Sequence, residues 1–204
     1  QKNKPIIMSS GISSKEEIAD AIETAKYYGC NDIVLLHCVS SYPAPINEAN
    51  LSQINELSNF FNVPVGLSDH TLGTTVSIAS VALGACLIEK HFILDKGIES
   101  PDSKFSISPS ELEHLCKESF LSWQSIGKAT YNKQKSEEKN IIFKRSIYFV
   151  RDLPKGHVIT SKDIKRIRPG MGLPPKLFDQ IIGKKTTKSV ERGQATSLDL
   201  IEDL

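Results

Sequence analysis

No stretch of the 204 residues comes near the roughly 18-residue apolar run that a membrane span needs. An excess of one charge is also missing. Lys and Arg number 25 against 24 Asp and Glu, a net charge of +1, so no bulk field draws the chain to DNA, RNA or an acidic membrane surface. A small anionic substrate stays open, because local groups bind it. Cysteine is sparse: Cys30, Cys38, Cys86 and Cys116, with no CxxC pair. Three of them fall in apolar strand or helix patterns, so buried free thiols in a reducing cytoplasm are expected. The first residues show no signal-peptide pattern. The chain starts at Gln1 rather than Met and enters a strand pattern almost at once, at Pro5-Ile6-Ile7-Met8. That start is expected to lie in the middle of a larger protein.

What is present is a repeated unit. Hydrophobic residues make up 39% of the chain, enough for a packed core. Ile6-Ile7-Met8 runs into Ser9-Ser10-Gly11, and a helix opens with Ser13 and Glu16 as a capping box, followed by Ile18, Ala21, Ile22 and Ala25 at helical spacing. Ile33 to Leu36 runs into His37-Cys38-Val39-Ser40-Ser41-Tyr42, then a helix with Leu51, Ile54, Leu57 and Phe61 on one face. Val63 to Leu67 ends in Ser68-Asp69-His70. Cys86 to Phe92 is the fourth strand, and a helix opens near Ser108-Pro109 with Leu112, Leu115 and Leu121 as its stripe.

Short apolar strands alternating with helices predict an α/β fold with a parallel sheet covered on both faces. Four units make half of an eightfold barrel or a small open sheet. Polar residues gather at the C-terminal strand ends, where a (β/α)8 barrel builds its site. The expected division is a partial barrel over residues 1–126, a charged linker over 127–144 and a small, mostly β domain over 145–204.

The chemistry centres on His70 and His91, each closing a strand and 21 residues apart, one strand-helix-strand step. On adjacent barrel strands both imidazoles point at one mouth. With open positions left for water or substrate, such a pair suits Mn²⁺, Fe²⁺ or Zn²⁺ better than Ca²⁺. The plainer alternative is that each His caps a strand and bonds nearby backbone. Ser9, Ser68 and Gly11 offer donors to a phosphate, or are ordinary turn residues. His37 reads equally as a core or a site residue. His114 and His157 read as surface residues. Asp102 holds a sugar hydroxyl or a water, or simply shapes the turn after Pro101. Arg168 is a carboxylate binder or a surface residue before Pro169.

These segments resemble the sialic acid synthase family. Ser68-Asp69-His70-Thr71-Leu72-Gly73, Glu89-Lys90-His91-Phe92-Ile93-Leu94-Asp95-Lys96, His37-Cys38-Val39-Ser40-Ser41-Tyr42-Pro43 and Arg168-Pro169-Gly170-Met171-Gly172-Leu173 carry the likeness, in order and across essentially the whole chain. Ile98-Glu99-Ser100-Pro101-Asp102-Ser103-Lys104-Phe105-Ser106 looks more like the pseudaminic acid synthases; the N-acetylneuraminate enzymes tend to show Gly-Pro-Asp there.

The resemblance implies the C-terminal half of a TIM (β/α)8 barrel followed by a small SAF, or antifreeze-like, domain. It implies a divalent metal on His70 and His91, most often Mn²⁺, with Mg²⁺ and Co²⁺ as alternatives. Phosphoenolpyruvate contacts fall on Ser9 and Ser68, and on Ser40, where several relatives carry Asn. Sugar contacts fall on Tyr42 and Asp102. Arg168 matches an arginine that reaches into a partner subunit's site, which makes the unit a domain-swapped homodimer. The implied reaction joins phosphoenolpyruvate to 2,4-diacetamido-2,4,6-trideoxy-L-altrose, giving a nine-carbon 2-keto sugar acid and phosphate for surface glycans. N-acetylneuraminate or legionaminate synthesis is the alternative within the family. A non-catalytic carbohydrate-binding SAF module is the alternative of another class. The family barrel has eight strands and this chain carries about four, so the chain alone is expected to be inactive.

Overall fold

A computed structural model describes residues 4–204. The chain divides into two compact units, residues 1–128 and 129–204. No helix among the described residues is long and apolar enough to cross a membrane.

The first unit alternates strand and helix: β1 (Ile6–Ser9), α1 (Lys15–Tyr27), β2 (Ile33–Cys38), α2 (Gln53–Phe61), β3 (Val65–Asp69), α3 (Thr75–Ala82), β4 (Ile88–Lys90) and α4 (Pro109–Ile126). The strands form one parallel sheet in the order β1-β2-β3-β4. A strand order that never reverses, with right-handed crossovers, puts every helix on the same face. The packing agrees: Ile18 and Ile22 of α1 and Ile54 and Leu57 of α2 share one cluster with Ile33, Leu35 and Val65. Each such side chain contributes about 1.5–3 kcal/mol on burial. Of the two expected arrangements, half of an eightfold barrel and a small open sheet, helices on one face correspond to the first. Strand residues of one parity meet the helix layer, and those of the other parity line the opposite face. The result is a barrel-like half sheet; a closed barrel is not among the described residues.

Local signals were right in kind and off by small steps. The α1 capping box is Ser14 with Glu17, not Ser13 with Glu16: the Glu17 N–H donates to Ser14 Oγ at 3.3 Å and the Ser14 N–H to Glu17 Oε2 at 2.7 Å. Both pairs have the required spacing. At α4 the box is Ser108 with Glu111, with Pro109 in the first turn. Leu115 is buried in that helix, but Leu112 and Leu121 are exposed. Cys38 is buried, Cys30 is half-buried, and Cys86 and Cys116 are exposed; all four are free thiols. The expectation of buried thiols thus holds only for Cys38. Gly66 sits where β3 and β4 approach closely: an added Cβ would lie 2.5 Å from the Leu87 carbonyl oxygen and 2.7 Å from Leu36 Cδ2.

In the second unit, the region read as a linker contains a short helix, α5 (Lys135–Glu138), followed by a 3-10 turn. Beyond it β5 (Ser146–Phe149) pairs antiparallel with β6 (Ile164–Ile167). Isolated bridges such as Leu153 to Val190 and Thr186 to Ile201 draw the remaining chain around them. With α6 (Phe178–Ile181) they enclose Ile147, Phe149, Leu153, Ile159, Ile164, Ile181, Val190, Leu200 and Ile201. His157, read as a surface residue, is half-buried. Its Nε2 meets Asp163 Oδ2 at 3.1 Å, and the same oxygen accepts from the Thr160 N–H and hydroxyl. Burial pushes the Asp163 carboxyl up, but these donors outweigh it and hold the group below the usual carboxylate range. His114 is exposed, as expected.

Candidate functional site

The site is built by strand register. Cys38 stands beside Ser68, and Ser68 beside Glu89. Side chains alternate along a strand, so the residues two further on, Ser40, His70 and His91, follow on the same face. Ser9 is level with Leu36 and shares their face. Above the level of Ser9, the helix-free side of the sheet thus carries two rungs of polar residues toward its C-terminal end.

The upper rung holds the histidines. Their ring centroids are 5.4 Å apart. His70 is buried, and its Nδ1 lies 3.2 Å from the Val39 carbonyl oxygen and 3.8 Å from Cys38 Sγ. A carbonyl can only accept, so Nδ1 carries the hydrogen and Nε2 the lone pair. His91 is half-buried, with Nδ1 3.5 Å from Asp102 Oδ2. Tyr42 closes over the pair, its ring 4.3 Å from that of His70 and 6.1 Å from that of His91. Phe105 packs 4.9 Å from the His91 ring. One rung down, the Ser68 hydroxyl donates to Glu89 Oε1 at 2.8 Å.

The donor set fits a divalent metal. Each imidazole turns Nδ1 to a backbone carbonyl or a carboxylate, the arrangement that orients metal-binding histidines and leaves Nε2 to ligate. Rings 5.4 Å apart can both reach one ion through metal–nitrogen bonds of about 2.0–2.1 Å. Among the described residues no group of three or more His, Cys, Asp or Glu side chains is placed to hold a metal. The remaining positions of such an ion would fall to water and substrate oxygens.

A buried ion pair lies behind the histidines, on the helix side of the sheet. Lys90 Nζ is 2.9 Å from Asp69 Oδ2, with side-chain exposures of 3% and 1%. Asp69 Oδ1 accepts from the Thr71 N–H and hydroxyl at 2.9 and 2.8 Å, and the Ser77 hydroxyl donates to Oδ2. Burial pushes the Asp69 carboxyl up, but Ser77, Lys90 and Thr71 together hold it below its ordinary value.

Of the expected site residues, His70, His91, Tyr42 and Asp102 come together directly, and Ser68 lies one rung below, bonded to Glu89. Ser40 is exposed and sits 3.7 Å from Cys38 Sγ at the next strand end, and Ser9 ends β1 one strand further. Arg168 is exposed in the second unit. His37 belongs to the core: its Nε2 lies 2.9 Å from the Ala49 carbonyl oxygen, on the face of Leu35. Glu89 was missed. Its position two residues before His91 on one strand was the available signal, since that parity gives both the same face. Size does not mark the site. A groove of about 950 Å³ lies between β1 and α1, lined by Ile6, Met8, Ala21 and Ala25 among others, and neither histidine lines it. Lys4, Asp20, Tyr28 and Cys30 line the groove as well, but the paired imidazoles beside the Asp102 carboxylate are the arrangement suited to metal chemistry, and they decide in favour of the histidines.

The NeuB family model matches residues 1–131 and the SAF domain model residues 144–201. A pseudaminic acid synthase of Campylobacter jejuni is 40% identical over 195 residues, covering 96% of this chain and 57% of that protein. An N,N'-diacetyllegionaminic acid synthase of Campylobacter jejuni is 39% identical over 195 residues, covering 94% of this chain and 58% of that protein. The crystal structure of an N-acetylneuraminic acid synthetase from Leptospira borgpetersenii superposes with a TM-score of 0.63 at 36% identity, over 68% of this chain and 48% of that one. The chain thus spans less than two thirds of the length of each.

Proposed function

The chain belongs to the NeuB family, the sialic acid synthases, and carries a SAF domain behind its NeuB region; on that premise we propose that the whole protein is a nonulosonic acid synthase. It condenses phosphoenolpyruvate with an open-chain amino sugar to give a nine-carbon 2-keto sugar acid and phosphate. The observation that carries this reading is the pair His70 and His91, rings 5.4 Å apart above the bonded Ser68 and Glu89. A non-catalytic binding module has no use for two neighbouring imidazoles that each turn Nδ1 to an oxygen.

His70 and His91 would hold a divalent metal, with Mn²⁺ the leading choice, and the metal when bound would polarise the sugar carbonyl as a Lewis acid. The hydroxyls of Ser9, Ser40 and Ser68 hold the phosphate and carboxylate of phosphoenolpyruvate. Tyr42 and Asp102 orient the sugar. Carbon 3 of phosphoenolpyruvate attacks the aldehyde carbon and leaves positive character at carbon 2. Water adds at carbon 2, and Glu89 is the carboxylate of this chain placed on that face to take its proton. The tetrahedral carbon then releases phosphate by C–O cleavage. Holding both substrates in line supplies much of the rate. Arg168 would act from the SAF domain of a partner subunit, in a domain-swapped homodimer. The four-stranded sheet would be half of an eight-stranded barrel completed by the rest of the protein.

The sugar we propose is 2,4-diacetamido-2,4,6-trideoxy-L-altrose, from the Glu99-Ser100-Pro101-Asp102 loop. The near-equal identities to pseudaminic and legionaminic acid synthases keep the legionaminate precursor as the second candidate. The test is a panel of these sugars and N-acetylmannosamine, each given to the whole protein with phosphoenolpyruvate and Mn²⁺. Phosphate release and product mass are followed. Turnover of the altrose sugar alone is expected. Faster turnover of another sugar reassigns the substrate, and phosphate release with none of them refutes the synthase reading.

A further inference from the structure

We propose that Lys90 is a positioning residue that fixes the spacing of the two histidines, an inference that rests on the metal site proposed above. Lys90, the last residue of β4, immediately precedes His91, and Asp69, the last residue of β3, immediately precedes His70. Asp69 and Lys90 are paired in the β3–β4 register. The reach of Lys90 goes beyond that pair. Its ammonium donates to the Thr71 carbonyl oxygen at 2.7 Å and lies 3.5 Å from the Asp69 carbonyl oxygen. These two carbonyls flank His70. The side chain before one histidine therefore clamps the backbone on both sides of the other.

Asp69 completes the clamp by accepting from the Thr71 N–H, which closes the turn over His70 from within. The whole assembly is buried and lies behind the sheet, so Lys90 touches neither substrate nor metal. A buried ion pair is not in itself a strong source of stability, since desolvation offsets most of its attraction. Its value here is geometric. Two nitrogens can share an ion only within a narrow range of separations, and Lys90 is the side chain that ties one histidine's backbone to the other's strand.

The experiment uses the whole protein. Mn²⁺ affinity is measured by electron paramagnetic resonance, and the visible ligand-field spectrum is recorded with Co²⁺ as a probe. Both are normalised to the folded fraction by circular dichroism. The parent must bind Mn²⁺; if it binds none, the metal-site reading falls and this inference falls with it. With a binding parent, Lys90→Met is expected to weaken Mn²⁺ about 10–100-fold and to alter the Co²⁺ spectrum, although both histidines remain. The double variant Asp69→Asn with Lys90→Met leaves no buried charge unpaired and carries the same test if the single variant does not fold. It is expected to stay weak. Affinity within twofold of the parent with an unchanged Co²⁺ spectrum, in either folded variant, overturns the inference and leaves the metal site standing. A purely structural ion pair would lower the folded fraction without moving the spectrum of what remains folded.

Discussion

The Ser68 hydroxyl donates to the Glu89 carboxylate across β3 and β4 at 2.8 Å, one rung below the histidine pair on the same face. Replacing Glu89 with Gln keeps the size and the hydrogen bond but removes the proton acceptor. On the proposed mechanism, Glu89→Gln lowers kcat by about 10²–10⁴-fold. Mn²⁺ affinity is expected to stay within a few fold. Steady-state phosphate release and Mn²⁺ titration check the two halves separately.

Removing the metal is expected to stop turnover. Dialysis against a chelator abolishes phosphate release, and added Mn²⁺ restores it. His70→Ala and His91→Ala, each folded by circular dichroism, are expected to bind no Mn²⁺ at concentrations that saturate the parent. Full activity in a metal-stripped preparation, verified by elemental analysis, would contradict the assignment of these two residues.

The placement of Arg168 in a partner's site predicts complementation. Arg168→Ala and His91→Ala homodimers are each expected to be nearly inactive. Unfolded together and refolded as a mixture, they form heterodimers in which one site is intact, so activity returns to about a quarter of the parent level by statistical pairing. A mixture as inactive as its parts would place Arg168 in its own subunit's site or in none.

Asp163 predicts a pH dependence in the second unit. Its folded pKa lies below the unfolded value of about 3.9, so its contribution is full above that value and is lost as pH falls through the folded pKa. Asp163→Asn is expected to cost about 1–3 kcal/mol at neutral pH. The gap from the parent should close as pH drops below about 4. Hydrogen exchange of the Phe149 amide, bonded to the Gln194 carbonyl oxygen at 3.0 Å, follows the opening of this unit.

Gly66→Ala tests the close approach of β3 and β4. The new methyl would press on the Leu87 backbone, which cannot swing aside as a side chain can. A loss of about 1–3 kcal/mol in urea unfolding is expected from such overpacking. Reduced Mn²⁺ affinity is expected to accompany it, since the two strands carry the two histidines.

Much of the site was legible in the residue order. Apolar runs ending in Ser-Asp-His and Glu-Lys-His marked strand ends, and helical spacing between them set the alternation. His37 shows the limit. It lies in a strand like the others, yet odd parity turns it into the helix layer against Ala49, and only the strand's true start settles that parity. The α1 cap shows the same limit on a smaller scale. Ser13–Glu16 and Ser14–Glu17 satisfy one rule equally, and the packing of Ile18 and Ile22 against the sheet chooses the second.

The sequence by itself determined which residue types close each strand and that the chain alternates strand and helix, because these follow from local periodicity and turn chemistry. Only the tertiary structure decided that Ser68 meets Glu89, that the two imidazoles stand 5.4 Å apart, and that Lys90 grips the turn around His70. Those relations depend on parallel register between strands about twenty residues apart, and register is fixed when both faces of the sheet find their neighbours at once.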